Sequence, residues 1–270
     1  MIFLDRAEIR RVVVKVGSST LTHEATGKLN LRRIQQLVTA LADLKNSGRD
    51  VVLVTSGAVA AGMDRLGLCE RPKTIKEKQA AASVGQCALL HIYDKLFNEY
   101  GHTVGQILLT KDVLEREVTR KNAENTFETM LSYGVIPVVN ENDAISTYEI
   151  ESMTSFGDND RLSAYVAVLC KADLLILLSD ITGLYDGDPR ENDEARLIPL
   201  VREITPELRA MAGGSKSNVG TGGMATKLDA AEIATDAGID MVITNGSEPL
   251  HILDICDGRL RGTLFTRKGG

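Results

Sequence analysis

Residues 11–57 read RVVVKVGSSTLTHEATGKLNLRRIQQLVTALADLKNSGRDVVLVTSG and place an amphipathic stretch between two runs of β-branched residues. The runs at 12–16 and 51–54 predict buried strands, and the stretch between them has the apolar period of an α-helix. The apolar residues of this helix are Leu31, Ile34, Leu37, Val38, Leu41 and Leu44. Asn30 occupies the position of a helix N-cap, and Gly48 the position where a helix ends. The segment therefore predicts a β-α-β unit.

The same alternation of strand and helix patterns continues along nearly the whole chain. The predicted elements after the first unit are a helix at 75–100, a strand at 103–109, a helix at 121–133, a strand at 135–139, a helix at 159–169, a strand at 174–178, a helix at 224–237 and a strand at 241–244. Residues 174–178 are uninterruptedly apolar, as expected for a central parallel strand covered on both faces. We predict one α/β domain, a three-layer α/β/α sandwich around a mainly parallel sheet.

The composition indicates a protein that acts on a small molecule. With 37 acidic and 31 basic side chains, the formal net charge of −6 disfavours a nucleic-acid surface, which needs clustered lysine and arginine. No apolar run approaches the roughly 20 residues of a membrane helix. Asp5 and Arg6 interrupt the N-terminus where a signal peptide is apolar. We expect a cytoplasmic protein without a nucleic-acid or membrane partner.

The cysteines and histidines do not predict a metal centre. Cys69, Cys87, Cys170 and Cys256 show no C-x-x-C spacing, which favours reduced thiols over disulfides or a zinc site. The four histidines have no H-x-x-H or H-E-x-x-H spacing. Structural or surface roles are therefore expected for them.

Four predicted strands run directly into glycine, hydroxyl, amide or carboxylate residues. These segments are KVGSST (15–20), TSGAV (55–59), NEND (140–143) and SD (179–180). Ligands of open α/β sheets bind beyond the carboxyl ends of the strands. A Gly-Ser turn is often only structural, but four such segments at neighbouring strand ends predict a binding site.

The segment GTGGMATK, residues 220–227, opens a predicted helix with glycines and a lysine. Amide groups and the helix dipole at such a start can bind phosphate oxygens, although a glycine-rich turn is also a common structural feature. It lacks the Gly-Lys-Ser/Thr of a Walker A loop. Gly220, Gly222 and Ala225 match a dinucleotide fingerprint loosely, but no strand directly precedes them.

The segment FGDND, residues 156–160, places two carboxylates and an amide at the start of the helix predicted at 159–169. Asp158 alone can be interpreted as a helix cap. Capping does not require both Asp158 and Asp160, so a second role is expected.

Taken in order, these segments resemble the amino acid kinase family. The resemblance covers residues 11–261 and rests on VVKVGSS (13–19), VTSGAVAAG (54–62), PVVNEND (137–143), FGDNDRLSA (156–164), LSDITGLY (178–185) and GTGGMATK (220–227). FGDND and NEND are the motifs more specific to its glutamate-phosphorylating branch. The resemblance implies phosphorylation of the glutamate γ-carboxylate by MgATP. It also implies a glutamate-binding part at about 1–170 and a nucleotide-binding part at about 171–265 of a single domain.

The resemblance also implies roles for individual residues. Lys15 and Lys227 would flank the transferring phosphoryl group, and Asp160 would orient them. Residues similar to the family's ATP site are Lys15, Ser179, Asp180, Thr221, Gly222, Gly223, Met224, Ala225, Thr226 and Lys227. Residues similar to its glutamate site are Ser56, Gly57, Asp143, Asp158 and Asn159. Mg²⁺ is expected on the nucleotide phosphates rather than in a protein-built site.

Two other functions remain compatible with the sequence. One is a family member acting on aspartate, N-acetylglutamate, carbamate or a nucleoside monophosphate, which FGDND disfavours. The other is a non-catalytic proline or glutamate sensor, which the two lysines disfavour.

Since the chain ends shortly after Arg261, it resembles the short form of the family, without the RNA-modification-type C-terminal domain. The resemblance further implies a homo-oligomer, proline as feedback inhibitor and coupling to glutamyl-phosphate reductase.

Overall fold

A computed structural model describes residues 9–145, 159–189, 192, 194–212 and 223–268. The strands in these ranges are β1 (Arg11–Val16), β2 (Asp50–Thr55), β3 (Val104–Leu109), β4 (Ile136–Glu141), β5 (Leu174–Ser179), β6 (Leu200–Val201), β7 (Asp240–Asn245) and β8 (Thr263–Phe265). They form one sheet in the order β3-β4-β2-β1-β5-β7-β8-β6. The pair β7–β8 is antiparallel, and the other pairs are parallel. The mainly parallel sheet is confirmed.

Helices connect the strands and cover the sheet. In the described part of the chain they are α1 (Ser18–Leu21), α2 (Leu31–Asn46), α3 (Ala58–Leu66), α4 (Ile75–Asn98), α5 (Asp112–Glu115), α6 (Glu117–Ser132), α7 (Asn159–Leu169), α8 (Pro206–Ala212), α9 (Met224–Asp236) and α10 (His251–Cys256). None of these helices has the length and apolar content needed to cross a bilayer.

Alternate residues of the central strands build two apolar cores. Val12 and Val14 of β1 face a cluster that contains Ile34 of α2 and Phe97 of α4. Val13 faces the opposite cluster, formed with side chains such as Leu162 of α7 and Leu228 of α9. Because both faces of the sheet are covered, its strands are apolar almost throughout, as predicted from the sequence. This arrangement confirms the α/β/α sandwich.

The local signals for the first helix are confirmed. The Asn30 side chain accepts a hydrogen bond from the Arg33 backbone nitrogen at 3.1 Å, which satisfies one of the free amides at the start of α2. Gly48 has φ = 90°, a left-handed conformation that suits glycine at a helix end. The helix expected at 121–133 begins earlier than predicted, at Glu117.

Helices α3 and α4 approach each other unusually closely. A Cβ atom built on Gly85 would overlap the Ala58 carbonyl oxygen, and one built on Gly62 would overlap that of Ala81. Only glycine therefore permits the two helix backbones to pack at this distance. The contact fixes α3, which leaves the carboxyl end of β2, against the long helix α4.

Candidate active site

The four polar strand ends predicted to meet do lie side by side. Strands β4, β2, β1 and β5 are consecutive neighbours in the sheet and run parallel, so their carboxyl ends share one edge. The N-termini of α7 and α9 supply the remaining predicted residues, Asn159, Asp160 and those that follow Gly223. This edge is the candidate site.

Lys15, Asp160 and Lys227 form a buried ion-paired cluster, although they are far apart in sequence. Lys15 Nζ lies 2.6 Å from Asp160 Oδ1, and Lys227 Nζ lies 3.0 Å from Asp160 Oδ2. The exposed fraction of the side chain is 6% for Lys15, 1% for Asp160 and 8% for Lys227. Thr226 adds a hydroxyl, which donates to Asp160 Oδ2 at 3.2 Å. One carboxylate therefore holds a lysine from β1 and a lysine from α9 in fixed positions.

The cluster carries unequal charge. Burial on its own would raise the pKa of Asp160, but Lys15 and Lys227 lower that pKa to well below its ordinary range. Asp160 is therefore ionised at neutral pH, and within this group of three residues its carboxylate contacts both ammonium groups. Two lysine ammonium groups held together at the strand edge are suited to an anionic ligand beside them. A polyphosphate or a transferring phosphoryl group meets that requirement.

Asn159 joins the ends of β2 and β4 to the start of α7. Its Nδ2 atom lies within hydrogen-bonding distance of Thr55 O (2.7 Å), Ser56 Oγ (2.8 Å) and Asn140 Oδ1 (2.9 Å). Asn140 Oδ1 also accepts from the backbone nitrogen of Glu141. The predicted residues Ser56 and Asn159 are thus in direct contact. Because this network commits the Asn159 amide nitrogen, its side-chain oxygen is the atom suited to a ligand donor.

Asp143 lies just beyond the end of β4 in a partly buried position. Burial raises the pKa of its carboxyl group to about 6. A cationic ligand group would offset the cost of ionising this carboxylate in place. A primary ammonium is a suitable ligand group for such a site.

The described nucleotide residues that were predicted after β5 and at the start of α9 lie around the same edge. Ser179 Oγ donates to Asp180 Oδ1 at 3.0 Å. Gly223 is the N-cap of α9, and because glycine has no side chain, it does not cap the helix with a side-chain hydrogen bond. Met224 begins that helix. Ala225 and Thr226 follow in its first turn, where Thr226 Oγ1 lies 2.9 Å from Gly223 O, an alternative acceptor for its single hydrogen. The backbone amides of this turn provide partial positive charge for phosphate oxygens.

Four further residues were predicted for the site. Asp158, Thr221 and Gly222 lie outside the described residues. Gly57 is described and takes φ = 96° at the N-cap of α3, where its missing side chain permits the turn out of β2. Asn140 was not among the predicted site residues, although it was part of the quoted NEND segment. Its burial at a strand end, with 3% of its surface exposed, is visible only in three dimensions.

Comparison with known proteins identifies a family for the chain. The model of the amino acid kinase family matches residues 10–245. The chain is 55% identical to "Glutamate 5-kinase" of Clostridium perfringens, over 97% of both chains. It is 50% identical to "Glutamate 5-kinase" of Listeria innocua, over 96% of this chain and 94% of that protein.

A solved structure shows the same fold at low sequence identity. The isopentenyl phosphate kinase of T. acidophilum superposes with a TM-score of 0.64 at 17% identity, covering 94% of this chain and 99% of that one. Identity at this level supports a shared fold alone, whereas the family match covers most of the chain and includes all three residues of the buried lysine cluster. The chain belongs to the amino acid kinase family.

Proposed function

We propose that this protein is a glutamate 5-kinase, which transfers the γ-phosphoryl group of ATP to the γ-carboxylate of L-glutamate. The observation that carries the proposal is the buried cluster of Lys15, Asp160 and Lys227, which concentrates positive charge at the strand edge. The relatives named glutamate 5-kinase support the choice of glutamate as acceptor. The reaction is the first step of proline biosynthesis, and a cytoplasmic location is proposed with it.

The reaction requires charge stabilisation rather than proton transfer. A glutamate γ-carboxylate has a pKa of about 4.3, so it is ionised at neutral pH and needs no general base. One carboxylate oxygen forms a bond to the γ-phosphorus while the bond to the β–γ bridging oxygen breaks, and ADP takes up the electron pair. Lys15 and Lys227 offset the negative charge on the transferring group. At 4 Å one opposite charge contributes on the order of 4 kcal/mol with an effective dielectric constant near 20.

We propose that Mg²⁺ is bound mainly through the phosphates of ATP. In the described ranges of the chain, no group of three His, Cys, Asp or Glu side chains is arranged to hold a metal. We propose that Asp180 and Ser179 border the nucleotide phosphates, together with residues 221–227. When bound there, Mg²⁺ supplies further charge neutralisation at the phosphates.

The acceptor site is proposed at the ends of β2 and β4. Ser56, Gly57 and Asn159 would bind glutamate there, with Asp158 and Asp143 as partners for its α-ammonium. Asp158 is the preferred ammonium partner, and Asp143 is the second. The proposal includes a homo-oligomer, inhibition by proline in competition with glutamate, and coupling to glutamyl-phosphate reductase, all by family resemblance.

The proposed function is tested by ADP release from MgATP with a panel of acceptors. The panel contains L-glutamate, L-aspartate, N-acetylglutamate and UMP at equal concentrations. We expect release to depend on glutamate and to be far slower with the other three. Faster turnover of aspartate, N-acetylglutamate or UMP would assign the chain to another branch of the family. Glutamate binding without ADP release would favour the sensor function.

A further inference from the structure

Two buried hydroxyl groups lie directly behind the turn that follows β2. Tyr93 Oη of α4 and Thr55 Oγ1 of β2 are 2.8 Å apart. Tyr93 is 0% exposed and Thr55 is 1% exposed. A phenol at this depth needs a hydrogen-bond partner, because an unpaired buried hydroxyl is costly. Thr55 is that partner.

The direction of the hydrogen bonds follows from the second contact of Thr55. Thr55 Oγ1 donates to the Ser56 carbonyl oxygen at 3.1 Å. A threonine hydroxyl has one hydrogen, so it accepts from Tyr93 when that hydrogen is committed to Ser56. Burial raises the pKa of Tyr93 far above its ordinary value, so the phenol keeps its proton. The result is a directed chain from Tyr93 through Thr55 to Ser56.

The end of this chain is the peptide bond that turns β2 into α3. The Ser56 carbonyl belongs to the peptide bond with Gly57, whose φ of 96° is available mainly to glycine. From the other side, Asn159 donates to Thr55 O and Ser56 Oγ. The Ser56–Gly57 turn is therefore held by α7 through Asn159 and by α4 through Tyr93. Rotation of this peptide would move both the Ser56 hydroxyl and the first amides of α3.

We propose that Tyr93 is a positioning residue for the acceptor pocket, acting through Thr55 on the Ser56–Gly57 turn. It touches no substrate atom, and its hydroxyl orients the groups that do. The inference rests on the proposed function, since it assigns Tyr93 to the glutamate half of that site. Tyr93 packs in the apolar cluster on one face of the sheet, whereas Lys15 alternates with Val14 and Val16 and so points to the other face, where α7 and α9 pack. We therefore expect the loss of the Tyr93 hydroxyl to affect the glutamate half more than the nucleotide half.

The test is Tyr93→Phe, which removes one oxygen and leaves the aromatic ring in place. We expect KM for glutamate to rise about tenfold, because the loss of the Tyr93–Thr55 hydrogen bond leaves the Ser56–Gly57 turn less well held. A tenfold change corresponds to the typical free energy of one hydrogen bond. The kcat and KM for ATP should stay within about twofold of wild type. Thr55→Val should give the same pattern, and Thr55→Ser, which retains the hydroxyl, should restore wild-type KM.

A matched control lies near the C-terminal end of α4. Tyr100 Oη and Thr39 Oγ1 are also 2.8 Å apart, but this pair is exposed and does not contact the strand edge. Tyr100→Phe should therefore leave KM for glutamate unchanged. If Tyr93→Phe lowers the yield of folded protein, the comparison of Thr55→Val with Thr55→Ser replaces it.

Two outcomes would overturn the inference. One is a Tyr93→Phe variant with wild-type KM for glutamate. The other is an equal rise in KM for glutamate and ATP, which indicates general loosening of the structure. A wild-type protein without glutamate-dependent ADP release would instead reject the proposed function, so the two failures are distinguishable.

Discussion

In the proposed mechanism, the chemistry depends most on the two lysines of the buried cluster. If they stabilise charge that develops in the transition state, Lys15→Ala and Lys227→Ala should each lower kcat by about 100-fold or more while KM for glutamate changes little. Steady-state kinetics with saturating MgATP measure this split. Lys268→Ala is a suitable control, because Lys268 also pairs with an aspartate at 2.6 Å but is 61% exposed. A large rise in KM with kcat intact would remove the lysines from the catalytic role.

Asp143 provides a test based on pH. Its pKa is raised to about 6 in the folded protein by burial, whereas in the unfolded chain it titrates near its ordinary value. Ionising the buried carboxylate therefore lowers the free energy of unfolding. This cost is fully present above about pH 6, and it is absent below the pKa that Asp143 has in the unfolded chain. Asp143→Asn should raise the free energy of unfolding at pH 8, by on the order of 2 kcal/mol, and change it little near pH 4. Urea unfolding at the two pH values tests this, and equal effects at both would contradict it.

The same carboxylate should make glutamate binding dependent on pH. If ionised Asp143 pairs with the glutamate ammonium, the affinity for glutamate falls as the pH drops through about 6, because protonation removes the negative charge. Titration calorimetry of wild type and Asp143→Asn between pH 5 and 8 measures the effect. The dependence should be absent in the variant, and a wild-type affinity that does not change with pH would refute the pairing.

The residues that carry charge or glycine motifs could be identified from the sequence, but their geometry could not. Lys15, Asp160 and Lys227 occur in separate motifs; the family resemblance implied that Asp160 orients both lysines, and the fold supplies the two contacts. Tyr93 has no sequence signal, because a buried tyrosine at helical spacing looks like any other core residue. Its role depends on a contact with Thr55, which is 38 residues away.

Among the elements, the contact between α3 and α4 makes the most specific prediction. Gly85→Ala introduces a methyl group onto the Ala58 carbonyl oxygen and the Gly62 nitrogen, so α3 must move. We expect a loss of about 1–3 kcal/mol of stability and a raised KM for glutamate, since α3 begins at the acceptor turn. Ser83→Ala, at an exposed position of α4, is the matched control. A Gly85→Ala protein with wild-type stability and KM would contradict the close packing.

The elements that were predicted are those in which burial determines the spacing of apolar residues along the chain. Strands such as β1 and β5 are covered on both faces and are continuous apolar runs, and α2 is amphipathic because one side faces the sheet. Helix α3 was not predicted, because its first residues were interpreted as part of the TSGAV segment at the end of β2. The short strands β6 and β8 were missed because two or three residues are too few to show alternation.

At the scale of the whole molecule, the order of the strands explains how distant motifs form one site. The ends of β4 and β2 carry the proposed acceptor groups, and those of β1 and β5 carry Lys15 and the proposed nucleotide residues. Because the strands are parallel neighbours, donor and acceptor can approach in line across one edge of the sheet. The solved structure at 17% identity has the same fold, so the choice of acceptor depends on residues rather than architecture.

Selectivity for free glutamate follows from the charges of the acceptor half. If Asp143 and Asp158 both line the acceptor pocket, as proposed, their charges repel a dicarboxylate unless its ammonium offsets the repulsion. N-acetylglutamate lacks that charge and should be a very poor substrate, since the site's own carboxylates would remain unpaired. Comparison of kcat/KM for the two substrates measures the effect. Equal values would show that the carboxylates do not bind the ammonium.

The central claim is that the chain makes an acyl phosphate at the γ-carboxylate of glutamate. The most direct measurement traps this product with hydroxylamine, which attacks the mixed anhydride and releases phosphate. With MgATP and glutamate, the wild-type protein should form γ-glutamyl hydroxamate in amounts that match the ADP produced, and Lys227→Ala should form very little. ADP formation without hydroxamate, or hydroxamate formation undiminished in Lys227→Ala, would contradict the account.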